Sequence, residues 1–123
     1  MYLVDDQIKA LRFYTEVLGF VVKNDIPMGG ARWLTVTSPE GSDDIELLLE
    51  PMGFAPAVTY QKALFDAGIP LTAFGVDDIQ KEYERLEKLG VVFRTKPELM
   101  GPVMVAIFND TCGNLIQIVQ ARN

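Results

Sequence analysis

The second half of this 123-residue chain repeats the pattern of the first half at a spacing of 71 or 72 residues. Val4-Asp5-Asp6 is matched by Val76-Asp77-Asp78, and the helix-like segments that follow end at Gly19 and at Gly90. Further matched segments are Val21-Val22-Lys23 with Val92-Phe93-Arg94, Met28-Gly29-Gly30 with Leu99-Met100-Gly101, and Ile45-Glu46-Leu47 with Ile116-Gln117-Ile118. A repeat of this length holds a whole supersecondary unit, so two copies can pair around a pseudo-twofold axis.

Each repeat is predicted to contain one strand, one helix and three further strands. In the first repeat, apolar residues recur at helical spacing over Gln7 to Leu18, after Asp5 or Asp6 as the N-cap. A short apolar run at Met1 to Val4 is the opening strand. The three following strands are predicted at Phe20 to Val22, Ala31 to Thr37 and Ile45 to Leu49.

The second repeat follows the same order, with a helix over Ile79 to Leu89 that is capped by Asp78. Its strands are predicted at Leu71 to Val76, Val91 to Arg94, Val103 to Phe108 and Leu115 to Val119. We therefore expect a single domain, 1–123, made of a first βαβββ unit (1–51), a connector (52–70) and a second βαβββ unit (71–123). The connector has helical spacing over Ala57 to Ala67.

Composition excludes several functions. The net charge of −6 and the pI near 4.5 argue against nucleic-acid binding, which needs a basic surface. The chain has no histidine, which excludes Ser-His-Asp and Cys-His catalysis and every metal site that contains histidine. No apolar stretch is long enough to span a bilayer, so no membrane partner is expected. The single cysteine, Cys112, cannot form an internal disulfide and is expected to be inert, which favours a cytoplasmic location.

Three segments together resemble one known superfamily. They are Val4-Asp5-Asp6 through Ala10-Leu11-Arg12-Phe13-Tyr14 to Leu18-Gly19-Phe20, Phe74-Gly75-Val76-Asp77-Asp78-Ile79, and Asp110-Thr111-Cys112-Gly113-Asn114-Leu115-Ile116-Gln117. In this order the chain resembles the vicinal oxygen chelate superfamily of glyoxalases, bleomycin resistance proteins and ring-cleaving dioxygenases. The resemblance implies an α+β fold in which paired βαβββ units form a cupped mixed sheet, with the helices on the outer face.

Strand alternation predicts which side chains face that cup. Ile45, Leu47 and Leu49 share one face and are expected to pack against a helix, which leaves Glu46 and Leu48 for the cup. In the second repeat the same reasoning places Gln117 in the cup, with Leu71 and Ala73 from the opening strand. The repeat spacing makes Glu46 and Gln117 counterparts.

The resemblance also implies where a metal would bind. Metal-dependent members carry four inward ligands, each a His, Gln or Glu, on the first and last strands of each unit. Glu46 and Gln117 match two of these positions, Leu71 stands at a third, and the fourth would lie upstream of Met1. Two oxygen ligands are too few for a protein-bound divalent metal, so no metal and no cofactor are expected.

Three interpretations of Glu46 remain open. The carboxylate is solvated or bonded to Gln117 at the mouth of the cup, or it accepts a hydrogen bond from a cationic or amide group of a ligand, or it is a general base whose pKa is raised by apolar surroundings. Gln117 cannot transfer protons and can only position a ligand or Glu46.

Two aromatic residues complete the candidate binding set. Trp33 offers a stacking wall if it points inward with Ala31 and Thr35, although the alternation does not fix its face. Tyr60 in the connector, near Phe54, is a candidate lid. The predicted ligand-binding residues are therefore Glu46, Gln117, Trp33, Leu48, Leu71 and Tyr60.

Two function classes follow. We expect a metal-free binding protein of the bleomycin-resistance kind that sequesters a small amphipathic or cationic molecule. The alternative is a lyase or isomerase that uses Glu46 as its base, or a metal enzyme whose site is incomplete in this chain. A homodimer is also expected, because short sheets leave exposed edges and the connector carries the apolar residues Phe54, Val58, Leu64 and Phe65.

Overall fold

The computed structural model describes residues 2–39, 46–51 and 53–121. Two compact units divide the chain, Met1–Thr59 and Tyr60–Asn123, which we call the first and the second unit. Each contains one four-stranded mixed sheet, and the order of elements in both is strand, helix and three strands. The predicted α+β fold of two βαβββ units is confirmed.

The first unit contains a sheet of strand order β1-β4-β3-β2, in which only β1 and β4 run parallel. Its helix α1 continues directly into a π-helical turn at Phe13–Val17. The elements are β1 (Tyr2–Val4), α1 (Gln7–Arg12), β2 (Val21–Met28), β3 (Ala31–Thr37) and β4 (Leu47–Pro51).

The second unit repeats this topology with a sheet of strand order β5-β8-β7-β6. Helix α2 (Ala55–Asp66) precedes this sheet and runs across the division between the units. The other elements are β5 (Thr72–Gly75), α3 (Ile79–Lys88), β6 (Glu98–Met100), β7 (Val103–Asn109) and β8 (Leu115–Ala121). No helix of the described residues is both long and apolar enough to cross a membrane.

The predicted helix boundaries rest on matched aspartates and glycines. Oδ1 of Asp6 accepts hydrogen bonds from the backbone N–H groups of Ile8 and Lys9, and Asp78 accepts one from Lys81. These bonds satisfy donors that have no partner within the helix. After each helix the chain turns through a glycine with positive φ, 87° at Gly19 and 90° at Gly90.

One face of each sheet is buried. In the first unit, Leu34, Val36 and Leu49 are fully buried, together with Tyr14 from the turn that follows α1. In the second unit, Ile116 and Phe108 are buried in the same way, together with Leu86 of α3. The alternate residues on the strands lie on the opposite face of each sheet.

Two predicted boundaries need correction. β2 extends from Val21 to Met28, well beyond the predicted end at Val22, because it pairs with β3 on both sides of a register shift between Val22 and Asn24, despite polar residues in its middle. The strand predicted at Ile45 to Leu49 covers Leu47–Pro51, and Ile45 itself lies outside the described residues. The connector helix begins two residues before its predicted start.

The prediction of a strand at Val91 to Arg94 was wrong. This segment makes only an isolated bridge from Phe93 to Phe108, and β6 lies further along the chain. The aromatic ring of Phe93 packs 4.6 Å from the ring of Tyr83 and 5.4 Å from that of Phe108, measured between centroids. The backbone pairs with β7 at this bridge alone, where Arg94 N donates to the carbonyl of Ile107 and Asn109 N to the carbonyl of Val92. The apolar pattern at this position therefore reflects mainly packing against α3 and β7.

Candidate functional site

The candidate site lies on the face of the first sheet that is opposite to its buried face. β-pairing places Asn24 and Leu48 on either side of Thr35, and Ile26 beside Trp33. We call the surface formed by Asn24, Ile26, Trp33, Thr35 and Leu48 the open face. The structure thus places Trp33 on the same side as Thr35, and its side chain is 43% exposed.

Glu46 is bound to this face by two side chains. Its Oε1 accepts a hydrogen bond from Oγ1 of Thr35 at 2.6 Å and another from Nδ2 of Asn24 at 2.8 Å. Nδ2 of Asn24 also lies 3.2 Å from Oγ1 of Thr35, so the three side chains bond to one another. Among the residues described in the first unit, no donor reaches Oε2 of Glu46.

These contacts determine the acidity of Glu46. The hydrogen bonds from the Thr35 hydroxyl and then from the Asn24 amide hold the pKa of the Glu46 carboxyl below its ordinary value. Burial opposes them, and the charge of Lys23 is a lesser contribution in the lowering direction. The raised pKa that we expected of Glu46 as a general base is therefore wrong, and its role stays a prediction. A carboxylate with a lowered pKa stays ionised and is a weaker base.

Gln7 holds together the strands behind the site. β3 and β4 pair at only two positions among the described residues, Thr35 with Leu48 and Val36 with Leu47. Beyond them, Nε2 of Gln7 donates to the carbonyls of Arg32 and Leu49, both at 2.9 Å, and its Oε1 accepts from Arg32 N at 3.1 Å. The first residue of α1 therefore replaces ladder bonds next to Trp33.

The corresponding face of the second sheet is largely aliphatic. Gln117 lies on β8 between Ala73 and Ile107 and is half-buried. The backbone N–H of Leu71 donates to the carbonyl of Leu115 at 2.8 Å, and the Leu71 side chain is also half-buried. These predicted site residues therefore lie in the second unit, whereas Trp33, Leu48 and Glu46 lie together in the first.

The predicted correspondence of Glu46 with Gln117 is wrong. The matched hairpins, Met28 with Ala31 and Met100 with Val103, make Ile107 the counterpart of Thr35. Thr35 pairs with Leu48, and Ile107 pairs with Gln117. Leu48 is therefore the counterpart of Gln117, and the same register makes Leu115 the counterpart of Glu46.

The remaining predicted residues lie on or near α2. Tyr60 and Phe54 are both exposed, and the role of Tyr60 as a lid stays a prediction. Gln61 attaches α2 to the β7–β8 turn, because its Nε2 donates to Oδ1 of Asn114 at 2.9 Å. Cys112 is buried in this turn, and its backbone N–H donates to Oδ1 of Asp110 at 2.7 Å.

The residues present do not fit the metal centre of the superfamily. The described part of the chain contains no group of three or more Cys, Asp or Glu side chains that could hold a metal ion. Oε1 of Glu46 is already occupied by two donors, and Leu71 has no side-chain ligand atom. A stable protein site for a divalent metal usually needs at least three protein ligands.

Sequence reasoning missed two site residues, Asn24 and the bonding role of Thr35. Asn24 reaches the open face because a β-bulge between Val22 and Asn24 shifts the pairing by one residue. With regular pairing it would lie opposite Leu34, on the buried face. A polar residue within an exposed strand was the only available signal, and it did not reveal the bulge.

Comparison with known proteins identifies the family. The family model of the Glyoxalase/Bleomycin resistance protein/Dioxygenase superfamily matches residues 1–118. The chain belongs to this superfamily, as the repeated βαβββ topology indicates. One curated relative is the uncharacterized protein YurT of Bacillus subtilis (strain 168), which is 59% identical over 117 residues, covering 95% of this chain and 92% of the relative.

Solved structures share the fold. UcmS2 is 31% identical, with a TM-score of 0.81 that covers 95% of this chain and 91% of that chain. TnmS3, an antibiotic binding protein from Streptomyces sp. CB03234, is 28% identical, with a TM-score of 0.74 that covers 98% of this chain and 90% of that chain. Of these two structural neighbours, TnmS3 is the one described as an antibiotic binding protein.

Proposed function

We propose that this protein binds a small amphipathic or cationic organic molecule on the open face, without a metal ion. One observation carries the proposal: the exposed indole of Trp33 and the oriented carboxylate of Glu46 lie on the same face of one sheet. Thr35, two residues after Trp33 on β3, connects them through its bond to Glu46. A ligand there would meet an aromatic surface and an anion together.

The apolar part of the ligand would rest on Trp33, Ile26 and Met28. All three side chains are exposed, and pairing places Ile26 beside Trp33 and Met28 beside Ala31 on the same side of the sheet. Exposed apolar clusters of this kind mark binding surfaces more often than isolated apolar residues do. An indole ring also stacks well on flat aromatic or cationic groups.

The polar part of the ligand would meet Glu46. Its Oε2 has no donor among the described residues of the first unit, and an ionised carboxylate accepts its strongest hydrogen bonds from cations. The net charge of −6 agrees with a cationic ligand. TnmS3 is named an antibiotic binding protein, which supports an organic molecule as the ligand and a role in antibiotic resistance.

Three further predictions belong to this proposal. Gln117, Leu71 and Tyr60 stay predicted ligand contacts. A homodimer is supported by the exposed apolar residues on the edge strands β2 and β6. A cytoplasmic location is supported by Cys112, which as the single cysteine of the chain cannot form an internal disulfide. The enzyme alternative is disfavoured, because the lowered pKa of Glu46 makes this carboxylate a poor base.

A ligand screen tests the proposal. Chelator-treated protein is screened by thermal shift against a library of small organic molecules, since a ligand at 100 times its Kd adds about 2.7 kcal/mol of stability. Binding should change the fluorescence of Trp33, the only tryptophan, and EDTA should leave the affinity unchanged. Wild-type affinity in both Trp33→Ala and Glu46→Gln would place the site elsewhere. Loss of binding in EDTA, or near-stoichiometric metal in untreated protein, would favour a metal enzyme.

A further inference from the structure

We propose that Asn24 and Thr35 are positioning residues that make Glu46 select ligands carrying a cation over neutral ligands of the same shape. The inference rests on the proposed function, because it needs a ligand on the open face. It adds a specificity mechanism and names the chemical group that the site recognises, an ammonium or guanidinium group.

The hydrogen bonds among the three side chains have a defined direction. Nδ2 of Asn24 can only donate, so Oγ1 of Thr35 accepts at 3.2 Å, and the Thr35 hydroxyl hydrogen remains for Oε1 of Glu46 at 2.6 Å. Asn24 donates to the same Oε1 at 2.8 Å. Both bonds to Glu46 therefore end on one oxygen and fix the carboxylate in one orientation.

The two donors are themselves held in place by the sheet. Thr35 is 2% exposed and lies between β2 and β4, so its hydroxyl has little freedom to turn away. Asn24 reaches the open face only through the β-bulge that follows Val22. Bulges often re-aim a single side chain at a functional site. The bulge thus has a specific consequence here, which is a second donor on Glu46.

This arrangement favours one class of ligand. Two donors on Oε1 stabilise the ionised carboxylate, as the lowered pKa of Glu46 also indicates. Oε2 shares the delocalised negative charge and keeps its lone pairs for a ligand. A cation gains a charge-assisted hydrogen bond there, a neutral hydroxyl gains an ordinary one, and a carboxylate on the ligand is repelled.

Three naphthalene probes of similar shape test the selectivity: 2-naphthylmethylammonium, 2-naphthylmethanol and 2-naphthoate. Each is titrated into the full chain while the indole N–H resonance of Trp33 is followed by NMR, because a single tryptophan gives a single signal. We expect the ammonium probe to bind about tenfold more tightly than the alcohol, which is typical of one charge-assisted bond, and the carboxylate to bind most weakly.

Variants separate positioning from a merely structural role. Thr35→Val removes the hydroxyl at similar volume, Asn24→Ala removes the amide, and Thr35→Ser restores the donor. The pKa of the Glu46 carboxyl, measured by carbon-13 NMR, should rise in Thr35→Val and in Asn24→Ala and return in Thr35→Ser. The preference for the ammonium probe should fall to about threefold or less in Thr35→Val, since the charge-assisted bond loses its oriented acceptor. Thr59→Val, on the exposed surface of α2, is the matched control that should change neither value.

The outcomes distinguish this inference from the proposed function. Equal affinities of the ammonium and alcohol probes at Trp33 would overturn the inference and leave the open face as a binding site. An unchanged Glu46 pKa in Thr35→Val and Asn24→Ala would also overturn it. If no probe shifts the Trp33 signal, while a library ligand binds without affecting it, both the selectivity and the proposed location of the site are wrong.

Discussion

The two units share one topology, yet the open face of the first sheet and the corresponding face of the second sheet have opposite character. In the first unit, positions 35 and 46 carry Thr35 and Glu46, which bond to each other. Their counterparts in the second unit are Ile107 and Leu115, both aliphatic. Position 33 carries the exposed Trp33, whereas its counterpart Val105 is almost completely buried.

The ladders that carry these residues differ as well. β7 and β8 pair at seven consecutive positions, from Val103–Ala121 to Asn109–Leu115, whereas the described part of β3 and β4 pairs at two. Gln7 bonds to the backbone of both strands in the first unit, and the matching first residue of α3 is Ile79. The repeat therefore duplicates a scaffold, while the side chains of the proposed binding surface are concentrated in one copy.

The largest expected effect comes from Gln7→Ile, which gives the first unit the residue of the second. Three polar backbone groups of Arg32 and Leu49 would lose their partner inside the protein. Each unsatisfied buried group costs about 1–3 kcal/mol, and partial access of water reduces the sum, so we expect a loss of about 2–4 kcal/mol. Urea unfolding with an unchanged m-value measures it.

Ile79→Val is the matched control at the same position of the second unit, with an expected cost of about 0.5–1.5 kcal/mol. If Gln7→Ile costs no more than this control, the side chain does not replace the missing ladder bonds. The first unit would then be as self-sufficient as the second, and the difference between the ladders would have no energetic consequence.

Much of the fold could be predicted from the sequence, because its signals are local. Asp6, Asp78, Gly19 and Gly90 act at single helix ends, and the burial of Leu49 on β4 follows from strand alternation. The segment at Phe93 was mistaken for a strand because its apolar residues pack against aromatic rings that lie far away in sequence. Local pattern cannot separate these two causes of burial.

The site was predictable in part, for a related reason. Matching the apolar triplets of the two repeats made Gln117 the counterpart of Glu46. The strand registers instead make Gln117 the counterpart of Leu48, two residues further along the chain. A shift of two residues preserves the face of a strand. The predicted face of Glu46 therefore agrees with its bonds to Thr35, while the predicted counterpart does not. The β-bulge that brings in Asn24 has no signature in one sequence.

A second prediction exchanges the residues at the matched position of β3 and β7. Val105→Trp forces an indole into a site that is 1% exposed, and overpacking of this kind costs about 1–3 kcal/mol or more. Trp33→Val removes a partly exposed ring and should cost less than about 1 kcal/mol. Thermal unfolding followed by circular dichroism compares the two. Equal losses would show that the indole of Trp33 is a structural element of the first sheet, which would remove it from the proposed binding surface.

The smallest effect is expected for Glu46→Gln, which tests the charge that distinguishes the first unit. This substitution keeps an acceptor oxygen for Thr35 and Asn24 but removes the ionisable group. The folded-state pKa of Glu46 is lowered from the ordinary value of 4.5, so between these two pH values the unfolded chain binds more protons than the folded one. Wild type therefore has an added stability that is complete above 4.5 and is lost as the pH falls through the lowered folded value. Urea midpoints from about pH 6 to about pH 3 should converge with those of Glu46→Gln at the acid end.

Because Glu46 is exposed, solvent screens the effect and the shift in midpoint should be small. A difference that stays constant across this range would mean that the bonds to Thr35 and Asn24 do not favour the charged form, and the open face would then lack the fixed anion that sets it apart from the second sheet.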